Sequence, residues 1–65
     1  MDRKKIGEKL IELRGCKTIE EVAKAVNISK SALAMYEKGN RIPRDEIKIR
    51  LAEYYHTDVK ELFFE

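Results

Sequence analysis

Signals that end a helix recur every twelve residues in this sequence, at Gly15, Asn27 and Gly39. Each follows a segment whose apolar residues fall on one helical face. Helix-starting residues follow the first two signals: Thr18 begins a Thr-x-x-Glu capping box, and Ser29 is a typical N-cap. Because these signals lie so close together, the sequence predicts short helices joined by tight turns.

Five helices are predicted in this way, and no segment has the alternating pattern of a strand. The first ends at about residue 14, the second and third occupy residues 18–39, the fourth covers about 45–55, and the last begins after Asp58. The side chains predicted to face the core are Ile6, Leu10, Leu13, Ile19, Val22, Ala23, Val26, Ala32, Leu33, Tyr36, Ile47, Leu51, Tyr54, Val59, Leu62 and Phe63. We therefore expect an all-α fold in which residues 1–65 form a single domain.

Length and composition exclude several classes of protein. A chain of 65 residues, 43% hydrophobic and 40% charged, has enough apolar side chains for a small core beneath a solvated surface. It has no apolar segment near the roughly 20 residues that a membrane span needs. Its single cysteine, Cys16, cannot form an internal disulfide, and its single histidine, His56, gives no zinc-ligand set. We expect a cytoplasmic protein without metal, cofactor or evident small-molecule ligand, and not an enzyme, because so short a chain leaves little scaffold for a catalytic pocket.

The net charge of +2 is distributed unevenly along the chain. Residues 1–17 and residues 28–44 each carry a surplus of three positive charges, whereas residues 45–65 carry a surplus of three negative charges. Such an asymmetry is typical of a protein that presents one positive face to a polyanion. Ordinary solvated helix faces would give the same distribution about as often, so charge alone leaves both interpretations open.

The segment from Thr18 to Gly39 has the spacing of a helix-turn-helix. Two short helices are joined by a tight turn at residues 26–28, and the second begins with small and polar residues that face outward. In such a unit the first helix supports the second, whose first turns enter the major groove of DNA. Many helical hairpins share this spacing, so the spacing alone does not establish DNA binding.

Residues 20–43 read Glu-Glu-Val-Ala-x-x-Val-x-Ile-Ser-x-Ser-x-Leu-x-x-Tyr-Glu-x-Gly-x-Arg-x-Pro. This pattern resembles the Cro/phage-repressor helix-turn-helix family, also called the Xre family. The similarity extends to Ile6-Gly7 and Leu13-Arg14 in the first helix and to residues 58–62, so it covers nearly the whole chain. The resemblance implies a compact five-helix repressor-like DNA-binding domain with the helix-turn-helix at about residues 18–37. It also implies a transcription regulator that usually acts as a homodimer on a (pseudo)palindromic operator.

Three features depart from the family's pattern. The link between Arg14 and Thr18 is shorter than is common, and we expect it to tighten the corner between the first two helices. Asn27 stands where glycine is usual, and asparagine tolerates the left-handed conformation that this turn needs. Ile19 occupies a position where many members carry a glutamine that reaches the DNA backbone, so that contact is in doubt and Ile19 is expected to join the core.

The resemblance further implies which residues contact DNA. Base reading is expected at Lys30, Ser31, Ala34 and Met35, and phosphate contacts are expected at Thr18, Ser29, Lys38, Asn40, Arg41 and Arg44. Thr18 and Ser29 are first of all helix caps. Met35 has two possible positions, because it could contact a thymine methyl group or pack under the fourth helix. A partly buried structural ion pair between Arg14 and Glu37 is also implied.

The predicted function is sequence-specific binding of double-stranded DNA by a transcriptional regulator, a repressor of phage, mobile-element or antitoxin type. A homodimer is expected to form through the C-terminal third, where Tyr55, Phe63 and Phe64 exceed what one small core can absorb. The alternative is a protein-interaction module, such as an antirepressor or toxin partner, that keeps the fold. Acidic or apolar residues at positions 30, 31, 38 and 41 would favour that alternative, but the sequence has Lys, Ser, Lys and Arg there.

Overall fold

The structure, a computed structural model, describes residues 2–64. It consists of the helices α1 (Arg3–Arg14), α2 (Ile19–Ala25), α3 (Lys30–Glu37), α4 (Asp45–Tyr54) and α5 (Val59–Phe63). Residues 2–64 contain no strand, so the predicted all-α class is confirmed. No helix in this part of the chain combines the length and the apolar character that crossing a membrane requires.

Side-chain caps begin four of these five helices, and α4 starts without one. Thr18 Oγ1 accepts a hydrogen bond from the backbone N–H of Glu21, and Ser29 Oγ accepts one from the N–H of Ala32, each at 3.0 Å. The carboxylate of Asp58 caps α5 in a similar way. Each cap satisfies a backbone donor that a helix start leaves unpaired, which is why the predicted helix starts and the observed ones agree.

Left-handed residues end α2 and α3 where the sequence predicts them. Asn27 has a φ of 61° and Gly39 a φ of 78°. After Asn27, the N–H of Ile28 returns to the carbonyl of Ala23 at 2.9 Å, and the same type of bond closes α3. His56, which follows α4, also adopts a positive φ of 56°. These closing bonds satisfy carbonyls at the helix ends and fix the direction in which the chain leaves.

The core draws side chains from all five helices. Its buried apolar residues are Ile6, Leu10, Val22, Ala23, Val26, Leu33, Tyr36, Leu51, Ala52, Leu62 and Phe63. Leu13 was expected in the core but is 40% exposed, because the last turn of α1 lies beside an open groove near Thr57 and Leu62. Phe63 is only 2% exposed, so its predicted place in the core is confirmed and its candidate role as a dimer contact is wrong. It completes the core instead.

The α1 helix crosses the C-terminal end of α3 at Gly7. A Cβ atom at this position would overlap the carbonyl oxygens of Tyr36 and Glu37. Only glycine therefore allows the two backbones to approach so closely. This contact holds the end of α3 firmly and so sets the direction in which its outward face points.

Candidate nucleic-acid interface

The outward face of α3 begins with small and polar side chains. Lys30 and Ser31 in the first turn are exposed, whereas Leu33 and Tyr36 on the inner side are buried. A lysine in the first turn of a helix is slightly unfavourable with the helix dipole, so folding does not explain Lys30. The face can enter a groove without any change in the core.

Ala34 and Met35 continue this face toward the end of the helix. Ala34 is half-buried, and Met35 keeps 36% of its surface exposed. The exposed third of Met35 is available for the outward one of the two positions predicted for it. Apolar groups on a face of this kind can contact the methyl group of thymine.

Thr18 and Ser29 place their hydroxyl groups at the starts of α2 and α3. Both residues are exposed, and both hydroxyl oxygens accept the capping bonds described above. A hydroxyl that accepts through its oxygen still has its own hydrogen to donate. Each cap can therefore also donate to a phosphate oxygen, and the positive end of the helix dipole favours an anion there.

The loop between α3 and α4 carries four predicted phosphate-binding residues. These are Lys38, Asn40, Arg41 and Arg44, and all four are exposed. Pro43, in the same loop, is buried. The proline has a fixed φ and anchors the loop against the core, while the polar side chains around it stay in solvent.

Five of the six predicted phosphate-binding residues line two separate grooves beside α3, and the sixth, Thr18, caps α2. Ser29, Arg41 and Arg44 line one groove that runs along α3 from its start to Tyr36 and also contains Glu46. Lys38 and Asn40 line a separate cleft at the end of α3. The structure therefore brings cationic side chains to both ends of the outward face.

Arg14 and Glu37 form a two-bond ion pair between α1 and the end of α3. Arg14 Nε lies 2.8 Å from Glu37 Oε2, and Nη2 lies 3.1 Å from Oε1. The Glu37 side chain is 4% exposed and that of Arg14 is 20% exposed. The hydrogen bonds to Glu37 raise the pKa of Arg14 above its ordinary value, although burial acts in the opposite direction. The third contact of the guanidinium, from Nη1 to the Lys17 carbonyl at 2.8 Å, braces the short link that precedes α2.

The family model described as helix-turn-helix matches residues 10–62, which span all of α2, α3 and α4, most of α5 and the end of α1. This chain belongs to the Cro/C1-type helix-turn-helix family. Membership makes it a DNA-binding helix-turn-helix regulator. No curated protein and no solved structure matches the chain.

Ile19, the first residue of α2, was expected to join the core rather than to reach the DNA backbone. Its side chain is half-buried and packs against the core. An apolar side chain cannot donate to a phosphate, so any backbone contact at the start of α2 must come from Thr18 or from the main chain. The expectation that Ile19 joins the core agrees with this position.

Arg50, on α4, supports the turn of the helix-turn-helix. This contact was not predicted from the sequence. Its Nη1 lies 3.4 Å from the carbonyl oxygen of Val26 and 3.5 Å from that of Asn27. Carbonyls at the end of a helix carry partial negative charge, so the guanidinium stabilises the end of α2. No local signal could identify this contact, because 23 to 24 residues separate its partners in the chain.

Tyr55 lies beside the ion pair of Arg14 and Glu37 rather than at the surface that would meet DNA. Its hydroxyl is buried and has no hydrogen-bond partner among residues 2–64. Burial, with the negative charge of Glu37 as the second cause, raises the pKa of Tyr55 to about 12. The sequence suggested a core or dimer position for this tyrosine but could not indicate that its hydroxyl is unpaired.

Proposed function

We propose that this protein is a sequence-specific transcriptional repressor, of phage, mobile-element or antitoxin type, that inserts α3 into the major groove of an operator. The observation that carries the proposal is the outward face of α3. It presents Lys30 and Ser31, then Ala34 and Met35, with cationic groups at both ends. A major groove about 12 Å wide admits one helix, and these side chains are of the kinds that read base edges.

The proposed roles divide between reading and holding. Lys30 donates to guanine O6 or N7 or to a phosphate, and Ser31 donates to or accepts from a base edge. Ala34 and Met35 supply apolar contact with thymine methyl groups. The holding residues are Thr18, Ser29, Lys38, Asn40, Arg41 and Arg44. Their phosphate contacts give affinity and orientation without selecting a sequence.

The alternative proposal is a protein-interaction module that keeps the fold. Large exposed apolar side chains favour it, since Ile11 is 46% exposed, Ile49 is 48% exposed and Phe64 is 52% exposed. None of these three residues lies on α3, and positions 30, 31, 38 and 41 are all exposed with Lys, Ser, Lys and Arg. A protein partner would therefore use another surface and leave the outward face of α3 available for DNA.

Selection of duplexes from a random DNA pool tests the repressor proposal directly. We expect enrichment of a (pseudo)palindromic motif whose half-sites are about one helical turn, or about 34 Å, apart, as for a two-fold dimer. Binding without an enriched motif would show non-specific DNA binding and contradict the operator. If no duplex binds even at low salt, the interaction module becomes the better explanation.

We also propose that the protein dimerises through its C-terminal third. With Phe63 in the core, the exposed apolar residues of this region are Ile49 and Phe64. Sedimentation of the Ile49→Asp variant should show a shift toward monomer, because a buried charge opposes association. Ile11→Asp, at a similarly exposed position on α1, is the matched control and should leave the association unchanged. A wild-type protein that is monomeric both at high micromolar concentration and on its operator would contradict the dimer.

A further inference from the structure

An open cleft joins the first turn of α1 to the end of α3. It is lined by Asp2, Arg3, Lys4, Lys38, Gly39 and Asn40. Lys38 and Asn40 have already been proposed as phosphate-binding residues, whereas Arg3 and Lys4 have no role in the interface described above. Both are exposed and belong to the surplus of positive charge in residues 1–17.

The first turn of α1 is held against the turn that ends α3. Gly39 has a φ of 78°, and a Cβ atom there would lie 3.0 Å from the Cα of Lys4 and 3.3 Å from the carbonyl oxygen of Arg3. The two backbones are therefore in direct contact at this point. Arg3 and Lys4 are consequently carried by a fixed helical turn, whose position relative to α3 is set by backbone packing.

The cleft is positively charged in spite of Asp2. Oδ1 of Asp2 accepts the backbone N–H groups of Lys4 at 3.1 Å and Lys5 at 3.2 Å, so the carboxylate is engaged as the cap of α1. The cleft therefore contains three cationic side chains, those of Arg3, Lys4 and Lys38, and one acidic side chain, that of Asp2. Cations at a helix start are unfavourable with the dipole, so helix formation does not account for Arg3 and Lys4.

The cleft also continues the outward face of α3. Positions 31, 35 and 38 have the spacing i, i+4, i+7, and residue 38 keeps helical dihedrals with a φ of −79° and a ψ of −7°. Lys38 therefore lies on the side of the helix that also carries Ser31 and Met35. A duplex that contacts this side of α3 reaches the cleft at the end of the helix.

We propose that Arg3 and Lys4, together with Lys38 and Asn40, bind a DNA backbone phosphate, a contact that rests on the proposed function. This site lies at the end of α3, whereas the groove of Ser29, Arg41 and Arg44 runs along α3 from the Ser29 cap at its start. An eight-residue helix is about 12 Å long, which is similar to the width of the major groove. The two sites can thus hold backbone on both sides of the groove while α3 lies within it.

Lys4→Gln and Lys5→Gln form the matched pair that tests this site. The two lysines are adjacent, both are exposed, and both donate their backbone N–H groups to Asp2. Lys5, however, lines a different groove, between α1 and α5. Each variant removes one positive charge from the same helical turn. The net charge of the protein and the interaction of the side-chain charge with the helix dipole therefore change alike in the two variants. Thermal melts of both variants serve to check that the fold is retained.

Affinity for the selected duplex and for a random duplex would be measured from about 50 to 200 mM salt, with Arg3→Gln as a further variant. For Lys4→Gln and for Arg3→Gln we expect the slope of log K against log salt to decrease in magnitude by up to about 0.9, the value for complete loss of one phosphate contact. Affinity should fall several-fold and by the same factor on both duplexes. Lys5→Gln should keep the wild-type slope.

Equal slopes for Lys4→Gln, Lys5→Gln and the wild type would overturn the phosphate site while leaving the proposed function intact. Equal decreases for Lys4→Gln and Lys5→Gln would also overturn it, because the effect would then be one of general charge. A preference for the selected duplex that changes in Lys4→Gln would contradict a phosphate contact, since phosphate contacts select no sequence. If the wild-type protein binds neither duplex even at low salt, the proposed function itself is wrong.

Discussion

The helix-turn-helix and the C-terminal third of this molecule are built in different ways. In α2 and α3, hydroxyl caps begin both helices and left-handed residues end both of them. In contrast, α4 begins without a side-chain cap, and buried Lys48 contacts the ring of Phe64 at 4.5 Å from its centroid. Local signals thus specify both ends of α2 and α3, whereas in the C-terminal third they specify the end of α4 and the start of α5 but not the start of α4.

The surfaces of the helix-turn-helix and of the C-terminal third also differ. The outward face of α3 is small and polar with cations around it, while Ile49 and Phe64 leave apolar area exposed on α4 and after α5. Exposed apolar area of this kind marks an interface when it is contiguous. The difference suggests a division of labour, in which one region meets DNA and the other meets a second protomer.

The largest expected effect comes from the ion pair that connects the recognition helix to α1. Arg14→Met leaves the buried Glu37 carboxylate without its partner, and breaking such a pair costs about 3 kcal/mol, near the lower end of the range because Arg14 is partly wet. The loss would be measured by urea unfolding. The double variant Arg14→Met/Glu37→Met should recover much of it, since no unpaired charge remains. An unchanged midpoint for Arg14→Met would show that the pair contributes nothing to stability.

Substitutions of the two left-handed residues, Asn27 and His56, should change stability less, and they allow a direct comparison of the helix-turn-helix with the C-terminal third. Asn27 is exposed at a φ of 61°, so Asn27→Ala should cost about 1–2 kcal/mol through backbone strain alone, while Asn27→Gly should change stability little. His56 has a similar φ of 56° but a bulkier side chain, and His56→Gly should stabilise by up to about 1 kcal/mol. Thermal or urea unfolding measures all three variants. A larger gain from glycine at position 27 than at position 56 would contradict the view that the helix-turn-helix is the better specified region.

The smallest effect at neutral pH is expected at Tyr55. Tyr55→Phe removes a buried hydroxyl without a partner, so stability at pH 7 should be unchanged or higher by up to about 1 kcal/mol. The pKa of Tyr55 is raised from 10.0 to about 12, so the unfolded chain ionises first and stability falls as the pH rises from 10 toward 12. Tyr55→Phe should lose less stability over that pH window than the wild type.

Tyr54→Phe is the control for this variant, because the rings of Tyr54 and Tyr55 are in edge contact with centroids 5.1 Å apart. Unfolding midpoints would be compared at pH 7 and between pH 10 and 12. A clear loss of stability in Tyr55→Phe at pH 7 would mean that the hydroxyl does have a partner in solution. An unaltered pH dependence would mean that its ionisation is not coupled to folding.

The sequence predicted well those features that depend on neighbours within one helical turn. Thr18, Ser29 and Asn27 could be identified because a cap or a left-handed turn is determined by residues two to five positions away. The exposure of Leu13 and the contact of Arg50 with the turn could not be derived in this way. Each depends on how α4 and α5 lie against α1 and α2, and helical periodicity alone does not fix that arrangement.

For the candidate interface, too, the sequence predicts features that depend on nearby residues but not contacts between distant ones. Lys30 and Ser31 follow from the spacing after the Ser29 cap, so their exposure could be predicted. The cleft that joins Arg3 and Lys4 to Lys38 could not, because 34 positions separate Lys4 from Lys38 in the chain and only the contact at Gly39 brings them together. Residues that act through tertiary proximity need the structure.

The measurement that tests the central claim most directly compares Lys30→Ala and Ser31→Ala with Arg41→Ala on the selected duplex and on a random duplex. Loss of a base-reading side chain should cost about 1–3 kcal/mol on the selected duplex and relax the preference at one base pair, with little effect on the random duplex. Arg41→Ala should weaken both duplexes equally and reduce the salt slope by about 0.9. If all three variants weaken both duplexes alike, α3 does not read sequence and the operator-binding account is wrong.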